Sequence, residues 1–151
     1  MTTQLRLVSV AGLVFLLTAV CVLSNADPPG TTTLAAQTTS NTYKTVYDGW
    51  KWWHVYCYRC HGVDAVGSTN APNLIDPNRK LSPAAFNKIV LNGIPDKGMQ
   101  AWDKLLDKKQ VSEIQLYVRA RTDKVLPPGR PDEVGPNGKP WVPPAGWPGR
   151  N

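Results

Sequence analysis

The chain contains 151 residues, and its 17 Lys and Arg residues outnumber its 11 Asp and Glu residues, which gives a net charge of +6. This length allows one small domain. The basic residues form no dense run, which argues against nucleic acid as a partner. A distributed positive charge favours acidic proteins or anionic surfaces instead.

The N-terminus, residues 1–26, is predicted to be a secretory signal peptide. One positive charge, at Arg6, precedes an almost wholly apolar run over residues 7–23, and small residues then allow cleavage after Ala26. An uncleaved anchor is the alternative, since the apolar run is at the short edge for a membrane span. Lipidation of Cys21 is a third option, but a branched residue stands just before it where a small one is expected. We expect cleavage, a periplasmic location and no stable membrane span in the mature protein.

Three segments follow the predicted signal. Residues 27–42 are rich in Thr, Pro and Ala without a periodic apolar pattern, which predicts a flexible leader. The stretch from Tyr43 to Tyr58 is dense in aromatic residues and is predicted to be the first helix. Residues 62–77 are punctuated by Gly, Asn and Pro, which indicates a loop.

The run Cys57-Tyr58-Arg59-Cys60-His61 carries the most specific chemical signal in the sequence. On a helix, residues three apart share a face, so the two thiols can reach both vinyl groups of one porphyrin. The adjacent imidazole of His61 is then presented to the iron as an axial ligand. The pattern C-x-x-C-H therefore predicts one covalently bound haem c.

Three other uses of the two cysteines are possible. A structural zinc site needs four ligands, usually in two separated pairs, whereas here the candidates all lie between His54 and His61. A thioredoxin-like redox pair calls for strand–helix alternation, which the sequence lacks. A disulfide between Cys57 and Cys60 would leave the adjacent histidine unexplained. Haem attachment is therefore the favoured interpretation.

Two further helices are predicted from their capping residues. The run 82–93 begins with Ser-Pro, which supplies an N-cap and a proline at the first helical position, and it ends with Asn-Gly. Asp107, with Gln110 three residues later, resembles a capping box. It opens a last helix whose apolar residues recur at helical spacing: Val111, Ile114, Tyr117 and Val118.

The loop between these two helices, residues 94–102, carries the second candidate iron ligand. Met99 is the only methionine besides the initiator, and a sixth haem ligand is usually Met or His. His54 is the alternative, but it precedes Cys57 by three residues on the same helix and cannot easily reach the opposite haem face. Trp102 is expected to pack near the haem.

Residues 125–151 contain eight prolines and five glycines, which exclude regular structure. Trp141 and Trp147 lie in this extension, although it cannot build a core of its own, so we expect it to wrap the haem domain or to dock a partner. A disordered tail is the alternative. Because no strand pattern occurs, the predicted fold is all-α, with the haem domain at residues 43–124.

These features resemble the class I cytochromes c, which carry a single haem. Gly49 and Trp53 stand eight and four residues before Cys57, where that family has a small residue and an aromatic one. Ile114 and Tyr117 match the apolar-x-x-aromatic pair of the family's last helix. The resemblance implies that the first and last helices cross at nearly right angles with closely approaching backbones.

The same resemblance implies roles for individual site residues. The run 71–74 matches the loop whose proline carbonyl, here that of Pro72, accepts a hydrogen bond from His61 and so fixes the tautomer of the imidazole. Residues 93–99 resemble the loop that bears the methionine ligand, although Gln100 replaces the common proline after Met99. A Met/His pair fills both axial positions and favours a positive potential, which implies an electron carrier and not an enzyme.

A narrower resemblance is to the cytochromes that accept electrons from periplasmic PQQ-dependent methanol dehydrogenases, including the lanthanide-dependent type. It rests on the runs 47–50, 57–68 and 129–131 and on the motif Tyr117-x-Arg119-Ala120-Arg121. It implies a monomer that receives single electrons from a methanol or alcohol dehydrogenase and passes them to a downstream cytochrome or oxidase. Cytochromes of the calcium-dependent methanol system are often acidic, whereas this chain is basic.

Two other functions stay open on the sequence alone. One is a carrier or subunit on the terminal-oxidase side, and the other is a haem enzyme, which would require Met99 to leave the iron open. A group of basic residues forms either a docking face near the methionine side or merely a solvated surface: Lys97, Lys104, Lys108 and Lys109.

Overall fold

The computed structural model describes residues 29–76 and 81–148. The predicted signal peptide lies outside these residues, and no helix among those described is long and apolar enough to cross a membrane. The helices are α1 (Pro29–Tyr56), α2 (Tyr58–His61), α3 (Pro83–Asn92) and α4 (Lys108–Thr122), with two short 3-10 turns at Pro95–Lys97 and Pro136–Gly138. The described ranges contain no strand, only an isolated bridge between Ile94 and Met99. The all-α prediction is confirmed.

Helices α1 and α4 form the centre of the domain. Gly49 on α1 meets the backbone of α4, because a Cβ atom at this position would lie only 2.0 Å from the carbonyl oxygen of Glu113. Around this contact Trp53, Ile114 and Tyr117 are almost fully buried. The rings of Trp53 and Tyr117 are 5.9 Å apart, within the range of an aromatic pair. The four residues on which the class I resemblance rests therefore form one interface.

The predicted caps of α3 and α4 are confirmed. The Ser82 hydroxyl accepts a hydrogen bond from the amide of Ala85 at 3.2 Å, and proline follows it at the start of α3. At the start of α4 the Asp107 carboxylate accepts from the Gln110 amide at 2.7 Å, while the Gln110 side chain accepts from the Asp107 amide at 2.9 Å. Both ends satisfy backbone N–H groups that a helix leaves without an internal partner.

The flexible leader predicted for residues 27–42 is wrong from Pro29 onward, because α1 already begins there. Once the later part of α1 is held against α4, each residue added to its N-terminus gains a backbone hydrogen bond without a new nucleation step. The threonines do not interrupt the helix, since the Thr38 hydroxyl donates to the carbonyl of Leu34 at 2.9 Å. The sequence of this stretch has no periodic apolar pattern, which explains why a periodicity argument missed the helix.

The C-terminal extension packs onto the helices. Trp141 is 5% exposed, and its indole N–H donates to the carbonyl of Val125 at 2.8 Å. Trp147 meets Trp141 edge-on, with ring centroids 5.7 Å apart, and donates to the carboxylate of Asp123 at 3.0 Å. Leu126, near the start of the extension, is 1% exposed. The extension therefore wraps the domain, which was the first of the two expectations for it.

A second set of contacts joins the extension to α1. The guanidinium of Arg130 lies over the ring of Trp50 at 5.6 Å and forms an ion pair with Asp132 at 2.6 Å. The hydroxyl of Tyr47 donates to Asp132 at 3.4 Å. The runs 47–50 and 129–131, which are far apart in the sequence, thus lie together in the fold.

Candidate functional site: a haem attachment centre

The two cysteines of the C-x-x-C-H run lie at the start of the short helix α2 and within it. Cys57 caps its start, directly after α1 ends at Tyr56, and Cys60 lies near its end. Both thiols are free; Cys57 is half-buried and Cys60 is exposed. Burial raises the pKa of the Cys57 thiol to about 12, and the nearby Cys60 adds to this rise. Two free thiols three residues apart match the spacing that attachment to the two vinyl groups of one porphyrin requires.

His61 follows Cys60 and is oriented by the loop that comes after it. Its Nδ1 atom lies 3.0 Å from the carbonyl oxygen of Pro72. Because a carbonyl can only accept, this contact places a proton on Nδ1 and selects the tautomer of the neutral imidazole whose Nε2 can bind a metal. Such an imidazole presents a metal-binding nitrogen in a defined orientation.

The loop over residues 62–74 is held in place by its own backbone. Gly62 ends α2 with φ +80°, a left-handed conformation that favours glycine, and a Cβ atom there would lie 2.6 Å from the carbonyl oxygen of Gly67. The amide of Gly67 donates to the carbonyl of His61 at 2.8 Å, and the Ser68 hydroxyl donates to that of Cys60. The indole of Trp53 donates to the carbonyl of Gly62 at 3.0 Å. These contacts bring Pro72 to the imidazole.

The other two predicted site residues lie on the connection between α3 and α4. Met99 is partly buried against the core, and its backbone pairs with Ile94 through hydrogen bonds of 2.8 and 3.2 Å. Trp102 is also partly buried, and its ring meets that of Tyr56 edge-on at 5.6 Å. Since Tyr56 directly precedes Cys57, the Trp102 ring lies close to the attachment segment.

The alternatives raised by the sequence find no support in this arrangement. Within residues 29–76 and 81–148, no three His, Cys, Asp or Glu side chains come together in a way that could hold a metal ion. His54 lies on α1 between the rings of Trp50 and Tyr58, and its Nδ1 is 2.8 Å from the Trp50 carbonyl. The contacts of His54 are therefore made with residues of α1 and α2 close to it in the sequence.

The donor set fits a covalently bound haem. The two free thiols, three residues apart, would form the two thioether bonds, and the imidazole of His61 and the thioether of Met99 would be the residues that hold the iron. Both Cys57 and Met99 pack against the same core. Sulfur and imidazole are the ligands typical of haem iron in electron-transfer proteins.

The four lysines considered for a docking face differ in how far their charge is compensated. Lys104 pairs with Asp103 at 3.5 Å, and Lys109 forms an ion pair with the buried carboxylate of Glu113. Lys97 and Lys108 are both exposed. Lys97 ends the 3-10 turn two residues before Met99, and Lys108 is the first residue of α4. These two are the stronger candidates for contacting an acidic partner.

One contact at the site was not predicted from the sequence. Asp64, in the loop after His61, accepts a hydrogen bond from the amide of Gly129 at 3.0 Å and lies 3.9 Å from Nε of Arg121. All three residues belong to runs that carry the narrower resemblance. The presence of all three residues in these motifs was the one sign that they could interact. No local sequence pattern predicts that they contact one another.

Comparison with known proteins places the chain among haem proteins. Residues 44–118 match the family described as "Cytochrome C oxidase, cbb3-type, subunit III". Cytochrome c-555 of Methylococcus capsulatus is 31% identical over 91 residues, which cover 57% of this chain and 70% of that protein. The crystal structure of the c-type cytochrome XoxG from Methylobacterium extorquens superposes with a TM-score of 0.51 at 31% identity, covering 58% of this chain and 56% of that one. The chain thus spans little more than half of the XoxG chain.

Proposed function

This chain belongs to the c-type cytochromes, and on that premise we propose that it is a periplasmic carrier of electrons from a PQQ-dependent methanol or alcohol dehydrogenase toward the respiratory chain. The cofactor of the family is covalently bound haem c, which supplies a one-electron couple between ferric and ferrous iron. The proposed acceptor is a downstream cytochrome or oxidase.

The residues of the site act by holding and tuning the cofactor. Cys57 and Cys60 would anchor it, and the contact between His61 Nδ1 and the Pro72 carbonyl would keep the imidazole in one tautomer and one orientation. Met99 is proposed as the second axial ligand. A Met/His pair favours a more positive potential than two histidines, which suits an acceptor of electrons from a dehydrogenase.

The single observation that carries the proposed donor is the mutual contact of the motifs on which the narrower resemblance rests. Trp50 meets Arg130 at 5.6 Å, and Asp64 binds the amide of Gly129 at 3.0 Å. The runs 47–50, 57–68 and 129–131 are far apart in the sequence but contact one another in the fold. We therefore treat them as parts of one structural feature and not as three chance matches. The chain is also 31% identical to the c-type cytochrome XoxG over 58% of its length.

Docking is proposed to occur where the attachment site meets the surface. Cys60 is exposed, and next to it Val63 and Val66 are 57% and 53% exposed. These side chains would offer apolar contacts, and the exposed Lys97 and Lys108 would supply positive charge to an acidic partner. Small, weakly held interfaces of this kind suit transient redox encounters.

Stopped-flow reduction of the oxidised, haem-loaded protein by a PQQ-loaded methanol dehydrogenase with methanol tests the donor. We expect fast, saturable reduction that slows as salt rises. Lys97→Glu and Lys108→Glu should lower the second-order rate constant, whereas Lys139→Glu on the extension, the matched control, should not. The proposed electron donor is contradicted if the dehydrogenase fails to reduce a protein that dithionite reduces normally.

A second function is favoured by one observation, the description of the matched family as a subunit of a cbb3-type cytochrome c oxidase. In that case the chain would deliver electrons on the oxidase side. Oxidation of the reduced protein by membranes containing such an oxidase, with no reduction by the dehydrogenase, would select this alternative.

A further inference from the structure

The C-terminal extension reaches the haem attachment loop, residues 62–74, through the carboxylate of Asp64. Oδ1 of Asp64 accepts a hydrogen bond from the amide of Gly129 at 3.0 Å, and Nε of Arg121 lies 3.9 Å from the same oxygen. The region that matches the family ends at residue 118. The contact therefore joins the attachment loop to residues beyond that region.

The surroundings of Asp64 make it hard to displace. Arg121 is only 7% exposed, and it donates from Nη1 to the carbonyl of Leu126. Asp64 is the only carboxylate within ion-pair distance of it in the described part of the chain. The hydroxyl of Tyr117 is also buried nearby; burial raises its pKa, and the charge of Asp64 adds to the rise. Without Asp64, the guanidinium would stay buried with no compensating charge, which is strongly unfavourable.

The same loop supplies the carbonyl that orients His61. Ala65, the next residue, is fully buried, and its carbonyl accepts from the amide of Leu74 at 2.9 Å. Pro72 lies between these two paired positions. A shift of the backbone at Asp64 would therefore move the Pro72 carbonyl relative to Nδ1 of His61.

We propose that Asp64 is a positioning residue for the iron ligand: by accepting a hydrogen bond from the Gly129 amide and compensating the charge of Arg121, it holds the loop that presents the Pro72 carbonyl to His61. The hydrogen bond from Nδ1 makes the imidazole a better electron donor, and a better donor stabilises ferric iron. Loosening the loop therefore shifts the midpoint potential to more positive values. The inference rests on the family of the chain and needs no particular electron donor.

The test uses the full-length, haem-loaded protein with Asp64→Ala, Asp64→Asn and the matched control Asp132→Ala. Asp132 also ties the extension down, through Arg130 and Tyr47 on α1, but it does not contact the attachment loop. Two quantities are measured: the midpoint potential, and the hydrogen-exchange rate of the Leu74 amide by NMR of the ferrous form.

In Asp64→Ala we expect a more positive potential and exchange of the Leu74 amide about tenfold faster, since a charge-assisted hydrogen bond is lost. Asp64→Asn keeps an oxygen for the Gly129 amide and should change both quantities less, in the same direction. Asp132→Ala should change neither. Native values in both Asp64 variants, or an equal shift of potential in Asp132→Ala, would overturn the proposal. If Asp64→Ala does not fold, Asp64→Asn decides in the same way.

Discussion

Replacement of Gly49 by alanine tests the central packing contact of the fold. An alanine Cβ atom would lie 2.0 Å from the carbonyl oxygen of Glu113 and 2.5 Å from its carbonyl carbon. Restoring an ordinary contact of 3.4 Å from 2.0 Å requires 1.4 Å of movement at this point. Because the neighbouring atoms belong to the backbone of α4, no side-chain rotation can relieve the clash, so the two helices must separate.

Two opposing effects set the size of the change. Alanine is more favourable than glycine inside a helix by about 1 kcal/mol, so helix propensity alone predicts a more stable protein. Overpacking costs about 1–3 kcal/mol where side chains can adjust, and more where they cannot. We expect a net loss of about 2–3 kcal/mol in the free energy of unfolding, which lowers Tm by about 6–9 °C for a chain of this size.

Urea unfolding of the haem-loaded protein, followed by far-UV circular dichroism, measures the loss if the slope of the transition stays unchanged. Gly138→Ala is the matched control, since φ is +69° there and nothing lies within 4 Å of the added Cβ atom. It should cost only about 1 kcal/mol, from the left-handed backbone. A Gly49→Ala protein as stable as the native one would refute the close approach of α1 and α4.

Three further changes have defined outcomes. Trp141→Ala removes a side chain that is 5% exposed and should lower the free energy of unfolding in urea by about 3–5 kcal/mol. Val142 is 66% exposed, so Val142→Ala should change that free energy by less than about 0.5 kcal/mol. Equally small changes in both variants would mean that the extension does not pack on the domain. The indole of Trp52 donates to the buried Glu113 carboxylate at 2.9 Å, and Trp52→Phe removes this donor. The free energy of unfolding should fall by about 1–3 kcal/mol. An unchanged free energy would argue against this hydrogen bond. Burial alone would raise the pKa of Asp48, but hydrogen bonds and charges from two lysines together lower it. Its stabilisation is therefore present above the unfolded pKa and lost as pH falls through the folded one, so Asp48→Asn should flatten the fall in unfolding free energy below about pH 4, and an unchanged pH profile would contradict the pairing.

Local signals in the sequence were sufficient for α3, α4 and the attachment motif. Ser82, Asp107 and Gln110 act through backbone groups within three residues, so their effect can be read without knowing the fold. The spacing of Cys57, Cys60 and His61 is equally local. Such features are predictable because the interacting atoms are neighbours in the chain.

The remaining features depend on contacts between distant residues. The sequence of residues 29–42 has no periodic apolar pattern, and the helix there continues directly into the rest of α1. The bonds from Trp141 to Val125 and from Gly129 to Asp64 satisfy donors within a segment that lacks regular structure. No periodicity marks such pairs, and only the folded backbone shows which carbonyl or carboxylate each donor reaches.

The state of the two axial positions tests most directly whether the protein is an electron carrier. Carbon monoxide added to the ferrous, haem-loaded protein should leave the visible spectrum unchanged, and the ferric protein should show the far-red absorption band of methionine-ligated haem. Both features should be reversed in Met99→Ala, which opens the position. Binding of carbon monoxide by the native protein, without the far-red band, would show an open iron and contradict the assignment of His61 and Met99 as the ligand pair.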